Sequence, residues 1–330
     1  MHHDVGRLFD ILSYKRDYGS DSEWEFLNRF IAPLDNVKFD IEGNFWVTVG
    51  DNPTTLFSSH TDTVHVEDGR QKIFLIDGPN VLMKEQDEST PEYDDDCLGA
   101  DDGVGVWIML NMIEAGVPGL YIFHRGEECG GIGSHHIADN NPSLLKGINR
   151  AIAFDRRGVG DIITSQMGRV CCSDEFAVAL GERLFMANRN LKMAPASGVY
   201  TDTANYIDLI PECTNISVGY LDEHTVYETL DVDFASELLE ACIAVDWETL
   251  PTVRSIGWPN QVSSDRKHGY SDGYSSYNLG DGNRQLTYDE LYDLCRDYPE
   301  IAAEILVHLE TTKWDREEAQ RSMGYNTWQY

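Results

Sequence analysis

A chain of 330 residues, 42% of them hydrophobic, suffices for one large α/β domain with an appendage or for two domains. Its 57 acidic residues against 25 basic ones give a formal net charge of −32, a field that repels nucleic acid and anionic membrane surfaces and counts against both as partners. No apolar run is long enough to span a bilayer. The polar start Met1-His2-His3-Asp4 lacks a signal-peptide pattern. Seven scattered cysteines without a Cys-x-x-Cys pair read as reduced thiols, so a cytoplasmic location is expected.

Two helices are expected over Asp4 to Leu34, where Val5, Leu8, Phe9 and Leu12, then Trp24, Leu27, Phe30 and Ile31, recur at helical spacing. Ser22 with Glu25 fits a capping box for the second. Val37–Ile41 and Phe45–Val49 read as a hairpin around Glu42-Gly43-Asn44. Thr55–Ser59 reads as a strand that delivers His60-Thr61-Asp62 at its end, and a further hairpin-like region runs to about Lys84. An acidic loop (Asp94-Asp95-Asp96) precedes Gly99-Ala100-Asp101-Asp102-Gly103 and a helix over Val104–Ala115 that is apolar nearly all round, hence buried.

Leu120–Phe123 is a short buried strand, and His124-Arg-Gly-Glu-Glu-Cys-Gly-Gly-Ile-Gly-Ser134 follows it. Ser134 is expected to cap a helix to Asn140. The adjacent carboxylates Glu127 and Glu128 thus stand at the carboxyl end of a strand, where open α/β sheets bind ligands. Neighbouring side chains diverge, so one can hold a metal while the other moves a proton. Ala151–Phe154 ends in Asp155-Arg156-Arg157, Ile162–Thr164 reads as a strand, and Asp174–Asn190 as a helix. The loop Ser197–Asp202 follows, then a strand over Thr214–Val218 that leads to Gly219-Tyr220 and His224, and an amphipathic helix over Val232–Trp247. From about Ser255 the texture changes to Ser, Gly, Tyr, Asn and Asp. Helical spacing resumes over Leu286–Thr312, so a catalytic domain over 1–254 with a linker and small helical extension over 255–330 is expected.

His60, Glu127, Glu128, Asp155 and His224 stand at or after strand ends, and Asp101 stands before a helix whose start lies on the same side of the sheet. A lone His is more often hydrogen-bonded in place, and a lone Asp more often caps a loop. Candidates at equivalent topological places are hard to explain that way. They form the inventory of a paired-metal site, in which ions about 3.5–4 Å apart need a bridging carboxylate, further N or O ligands and a free carboxylate as base. Asp101 and Asp102 both remain candidates for the bridge on these grounds.

These motifs together resemble the zinc-dependent exopeptidase superfamily, which includes tripeptide aminopeptidase, the di-zinc aminopeptidases, succinyl-diaminopimelate desuccinylase and glutamate carboxypeptidase. The resemblance covers roughly Leu8 to Leu250. It implies a three-layer α/β fold with a mixed sheet flanked by helices. It implies two zinc ions, with cobalt or manganese as possible substitutes: His60 and Asp155 on one, Glu128 and His224 on the other, and Asp101 rather than Asp102 between them. Asp62 would orient His60, and Glu127 would be the general base. Thr201-Asp202 matches a stretch that lines the substrate site in relatives, and Tyr200 or Arg169 would be an oxyanion donor. Many relatives insert a lid or dimerisation domain between the equivalents of Asp155 and His224. The gap here has no room for one, so no lid-mediated dimer is expected.

The expected activity is therefore hydrolysis of an amide bond, by an aminopeptidase or dipeptidase acting on short peptides. The alternatives are an N-acyl amino acid deacylase and a non-catalytic interaction protein that kept the fold. His65, His124, His135 and His136 are left over: His135-His136 are read as structural, His124 could touch the site, and Arg156 and Arg157 are read as partners of nearby carboxylates.

Overall fold

The computed structural model describes residues 5–76, 80–85 and 96–256, which lie in the first of two compact units, Met1–Tyr277. The helical extension expected over 286–312, most of the linker before it and Asp94-Asp95 fall outside the described residues.

A nine-stranded mixed sheet organises the domain. Across it run Arg169–Val170, Asp161–Gln166, Glu212–Ser217, Arg150–Arg156, Thr55–His60, Gly119–His124, Phe45–Val49 and Lys38–Phe39, with Ala194–Ser197 pairing beside Asp161–Gln166. The four strands from Glu212–Ser217 to Gly119–His124 are mutually parallel. Their flanking neighbours Asp161–Gln166 and Phe45–Val49 are antiparallel to them.

Both faces of the parallel centre are covered, so its strands are buried along nearly their whole length rather than on alternate residues. Phe57, Tyr121, Phe123, Ile152 and Phe154 pack in one cluster with residues of the helices Val5–Leu12, Ala100–Glu114, Asp174–Ala187 and Val232–Ala244. Leu56, Leu120, Ile122 and Ala151, their neighbours in sequence, pack in a second cluster with Ile137, Leu145, Tyr206 and Ile207. Three layers result, as the family resemblance implied. The helix Ala100–Glu114 is buried almost throughout, down to Trp107 and Met112 at 0% exposure.

Two helix starts and two helix ends differ in detail from the expectation. The second N-terminal helix, Asp21–Phe26, is capped by Ser20, whose hydroxyl accepts from Glu23 N at 3.1 Å while the Glu23 carboxylate accepts from Gly19 N at 2.7 Å. Ser22 is instead bound to Asp68 and to the Lys15 carbonyl. The helix then widens into a π turn over Leu27–Ile31. The helix after the glutamates begins at Ile132 with Gly131 as its cap, so Ser134 lies in the first turn and donates to the Gly131 carbonyl at 3.1 Å. The helices Asp174–Ala187 and Val232–Ala244 each stop three residues before the expected end, and Ser173 and Asp231 cap their starts.

A small four-stranded antiparallel sheet stands apart from the main one. It pairs the hairpin Ile73–Ile76/Val81–Lys84 with the hairpin Tyr220–Leu221/Thr229–Asp231. The second hairpin carries His224 at its tip, which brings a late part of the chain to the carboxyl ends of the main strands.

Candidate metal centre

The register of the parallel strands sets the site. His60 closes its strand opposite His124, and Asp155 ends the next strand but one residue. Asp101 stands in the first turn of Ala100–Glu114, with φ −79° and ψ 105°, outside the helical region. The peptide bond between Asp101 and Asp102 is cis.

These positions bring side chains from five distant segments together. Asp101 lies between two imidazoles: its Oδ1 is 3.0 Å from His60 Nε2, and its Oδ2 is 3.3 Å from His224 Nε2. Asp155 Oδ1 lies 3.6 Å from His60 Nε2, and Glu128 Oε1 lies 3.0 Å from His224 Nε2. Three groups of ligand atoms fall within metal-holding reach of one another: His60 with Asp101 and Asp155, Asp101 with Glu128 and His224, and His60 with Glu127 and Glu128. Asp102 turns elsewhere. It accepts from Ser59 Oγ, from His60 N at 3.2 Å and from Gly105 N at 3.1 Å. A Cβ on Gly105 would sit 2.3 Å from that carboxylate and 2.4 Å from the Phe154 carbonyl, so only glycine lets the helix come this close.

The loop bearing the two glutamates is held from beneath by Asp62. Its Oδ1 accepts from Gly126 N at 2.9 Å and Glu127 N at 3.2 Å, and its Oδ2 accepts from Glu128 N at 3.1 Å. The other ring nitrogen of His60 is 3.0 Å from the Asp62 backbone carbonyl and 3.7 Å from its carboxylate. Asp62 therefore fixes the ring through its main chain and the Glu-Glu loop through its side chain.

Arg125, just before that loop, makes a forked pair with Glu23, at 2.8 Å from Nε and 2.6 Å from Nη2. Its guanidinium stacks 4.3 Å from the Trp24 ring. Glu23 is 0% exposed, so Arg125→Met would strand a buried carboxylate. Such a break costs about 3–5 kcal/mol, and urea unfolding of the variant is expected to read a loss of that size. A loss below about 1 kcal/mol would mean that water reaches Glu23.

Burial and mutual repulsion dominate the electrostatics of the metal-free cluster. Burial raises the Glu127 carboxyl well above its ordinary range, and Asp155, Glu128 and Asp202 add to the rise. Burial and the Asp101 charge push Asp155 up to about 6. Burial opposes protonation of His60 and His224, yet the carboxylates around each hold it well above its ordinary value. Burial would raise Asp101, but the bonds from His224 and His60 bring it down.

Asp155 also accepts two hydroxyl bonds, from Thr201 at 2.6 Å and from Tyr220 at 3.1 Å. Asp202, beside Thr201, is buried, with its Oδ2 at 3.3 Å from His124 Nδ1. Tyr200 accepts from Asn205 at 2.7 Å, and its hydroxyl lies so near Gly131 that a Cβ there would meet it at 1.8 Å. Arg169 pairs with Asp208 at 2.7 Å, Arg156 with Asp161 and Arg157 with Glu223. His124 is fully buried between Ser58 and Tyr206, and burial pushes it down to about 3.

Three supporting residues gave no signal in the sequence. Buried Arg16 donates to the carbonyls of Thr61 at 2.9 Å and Gly99 at 2.9 Å, tying together the two segments that carry His60 and Asp101. Glu228 binds the backbone on either side of Ala100, and Tyr220 reaches Asp155. Each lies far in sequence from what it supports, and no local motif announces such contacts.

A mixed sheet covered on both faces by helices is the fold that the resemblance implied. Solved peptidase structures share it. The aminopeptidase PepT of Bacillus cereus matches with a TM-score of 0.53 and 15% identity, over 73% of this chain and 96% of that one. A tripeptidase of Staphylococcus aureus matches with a TM-score of 0.54 and 16% identity, over 72% and 95%. The TET1 peptidase of Pyrococcus horikoshii, which assembles into a tetrahedron or a large octahedral shell, matches with a TM-score of 0.50 and 17% identity, over 73% and 98%. No family model and no curated protein matches at the level of sequence.

Proposed function

We propose that the chain is a metal-dependent hydrolase that cleaves amide bonds, an aminopeptidase or dipeptidase acting on short peptides. The observation that carries this reading is the position of Asp101, with one oxygen within 3.3 Å of each of two imidazoles and with Asp155 and Glu128 completing a set on either side. The structural neighbours named as an aminopeptidase, a tripeptidase and a peptidase support it.

The donors fit two zinc-type ions. They are imidazole nitrogen and carboxylate oxygen without a thiolate, which suits zinc, cobalt or manganese. His60 and Asp155 would hold one ion, Glu128 and His224 the other, with Asp101 shared. Bound there, such ions supply Lewis acidity and an acidified water.

The chain's own residues would do the rest. Glu127, held in place through its backbone by Asp62, would take the proton of the attacking water and return it to the leaving amine. Asp62 and the hydroxyls on Asp155 would fix the orientation of the ligands. Tyr200, Thr201 and Asp202 would line the substrate side.

Charge favours a free amine over an N-acyl group. Asp62, Asp101, Glu127, Asp155 and Asp202 are buried together, with Glu128 beside them. When all six are ionised, two divalent ions would not offset them, and the residual negative field would suit a substrate's ammonium group.

Free-amino di- and tripeptides compared with N-acyl amino acids, with and without a chelator, form the test. Hydrolysis of the free-amino set, abolished by chelator and restored by zinc, is the expected result. Turnover of the N-acyl set alone would make it a deacylase, and metal-loaded protein inert on both would favour the interaction-protein reading.

A further inference from the structure

The hairpin Tyr220–Asp231 touches Asp155, Asp101 and Glu128. The Tyr220 hydroxyl donates to Asp155 at 3.1 Å. His224, with its backbone in the left-handed region at φ +62°, places Nε2 3.0 Å from Glu128 and 3.3 Å from Asp101. Glu228 is 1% exposed, and its two oxygens accept from Gly99 N at 2.7 Å and Asp101 N at 2.9 Å. Those two N–H groups lie on either side of the turn that presents the shared carboxylate. Contacts to both candidate metal positions, and to the residue between them, therefore belong to one short element.

We propose that Glu228 is a positioning residue that holds the Asp101 backbone so that its two oxygens face the two imidazoles, and that the Tyr220–Asp231 hairpin thereby makes filling of the two metal positions cooperative. The inference rests on the two-metal reading above. An ion held by His60, Asp155 and Asp101 requires Asp101 and Asp155 in place, and Glu228 and Tyr220 tie both to the hairpin. Seating the hairpin for the first ion removes the freedom of the His224 loop, so the second ion binds without that ordering cost. Without the clamp, the two positions lose their common element and each must order its own part.

Zinc or cobalt titration of the metal-free full chain, followed by calorimetry and by the cobalt visible bands, tests this on the wild type and on Glu228→Gln. Glutamine keeps the shape but offers one carbonyl oxygen, and its amide group faces the second N–H donor to donor. Two ions are expected at saturation in both proteins. The wild type is expected to titrate with positive cooperativity. In the variant the Hill coefficient falls to about 1 and the second ion binds about 10–100-fold more weakly, the range for residues that orient ligands. Titrations that superimpose, with only a lower unfolding temperature in the variant, would reduce Glu228 to a structural contact and overturn the proposal. A wild type that takes up no ion, or one, would instead overturn the two-metal reading and this inference with it. If Glu228→Gln does not fold, Tyr220→Phe removes a single hydroxyl from Asp155, and cooperativity unchanged in that variant would count against the hairpin's role.

Discussion

Glu127→Gln is expected to lower kcat by about 10²–10⁴-fold, the share general acid–base catalysis contributes, and to leave the metal content unchanged. The carboxylate is buried within reach of His60 and Glu128, and it is not part of either set that shares Asp101. Burial and the surrounding carboxylates raise its carboxyl well above the ordinary range. Nearby dications favour its charged form and bring it back toward a value at which it can accept a proton. Glutamine preserves size and burial but cannot take that proton. Loss of an ion with the activity would mean that Glu127 is a ligand and that the two glutamates exchange roles. Unchanged kcat would place the base elsewhere. Steady-state kinetics and elemental analysis of the same preparation distinguish these results.

Asp101→Asn is expected to remove both ions together. Residues that merely orient a ligand cost about 10–100-fold in metal affinity when replaced, so loss of a shared ligand should exceed that for each ion. Asparagine presents one oxygen to two positions and turns an amide donor toward an imidazole that must stay neutral to bind metal. Elemental analysis should fall from near two ions per chain toward none. One ion retained at wild-type affinity would show that the two positions are independent and that Asp101 serves only one.

The sequence revealed what local pattern encodes. The short strands that lead into His60, the Glu127-Glu128 loop and Asp155 are legible as bounded runs, and the three-layer fold came with the family likeness. Asp101 could be preferred over Asp102 only through the family likeness; the structure separates them, because Asp102 is consumed by Ser59 and two backbone amides. Helix starts were misplaced where two serines or glycines compete, as with Ser20 against Ser22 and Gly131 against Ser134. Long-range support leaves no local trace in the chain. Glu228 and Asp101 are 127 residues apart, and Arg125 and Glu23 are 102 apart. Such pairs carry no periodicity, spacing or composition of their own, since only the folded topology makes them neighbours.

The alternation of the central strands between two cores limits where the chain can accept insertions and deletions. Leu120 and Ile122 face one cluster while Tyr121 and Phe123 face the other, and His124 pairs with His60 at the end of the same ladder. Adding or removing one residue inside Gly119–His124 would send large aromatic rings into the space of small aliphatic ones and change the face on which the following loop leaves. Length changes are therefore tolerable only between these strands, and the spacing from Leu120 to Glu128 is locked by packing as firmly as by chemistry.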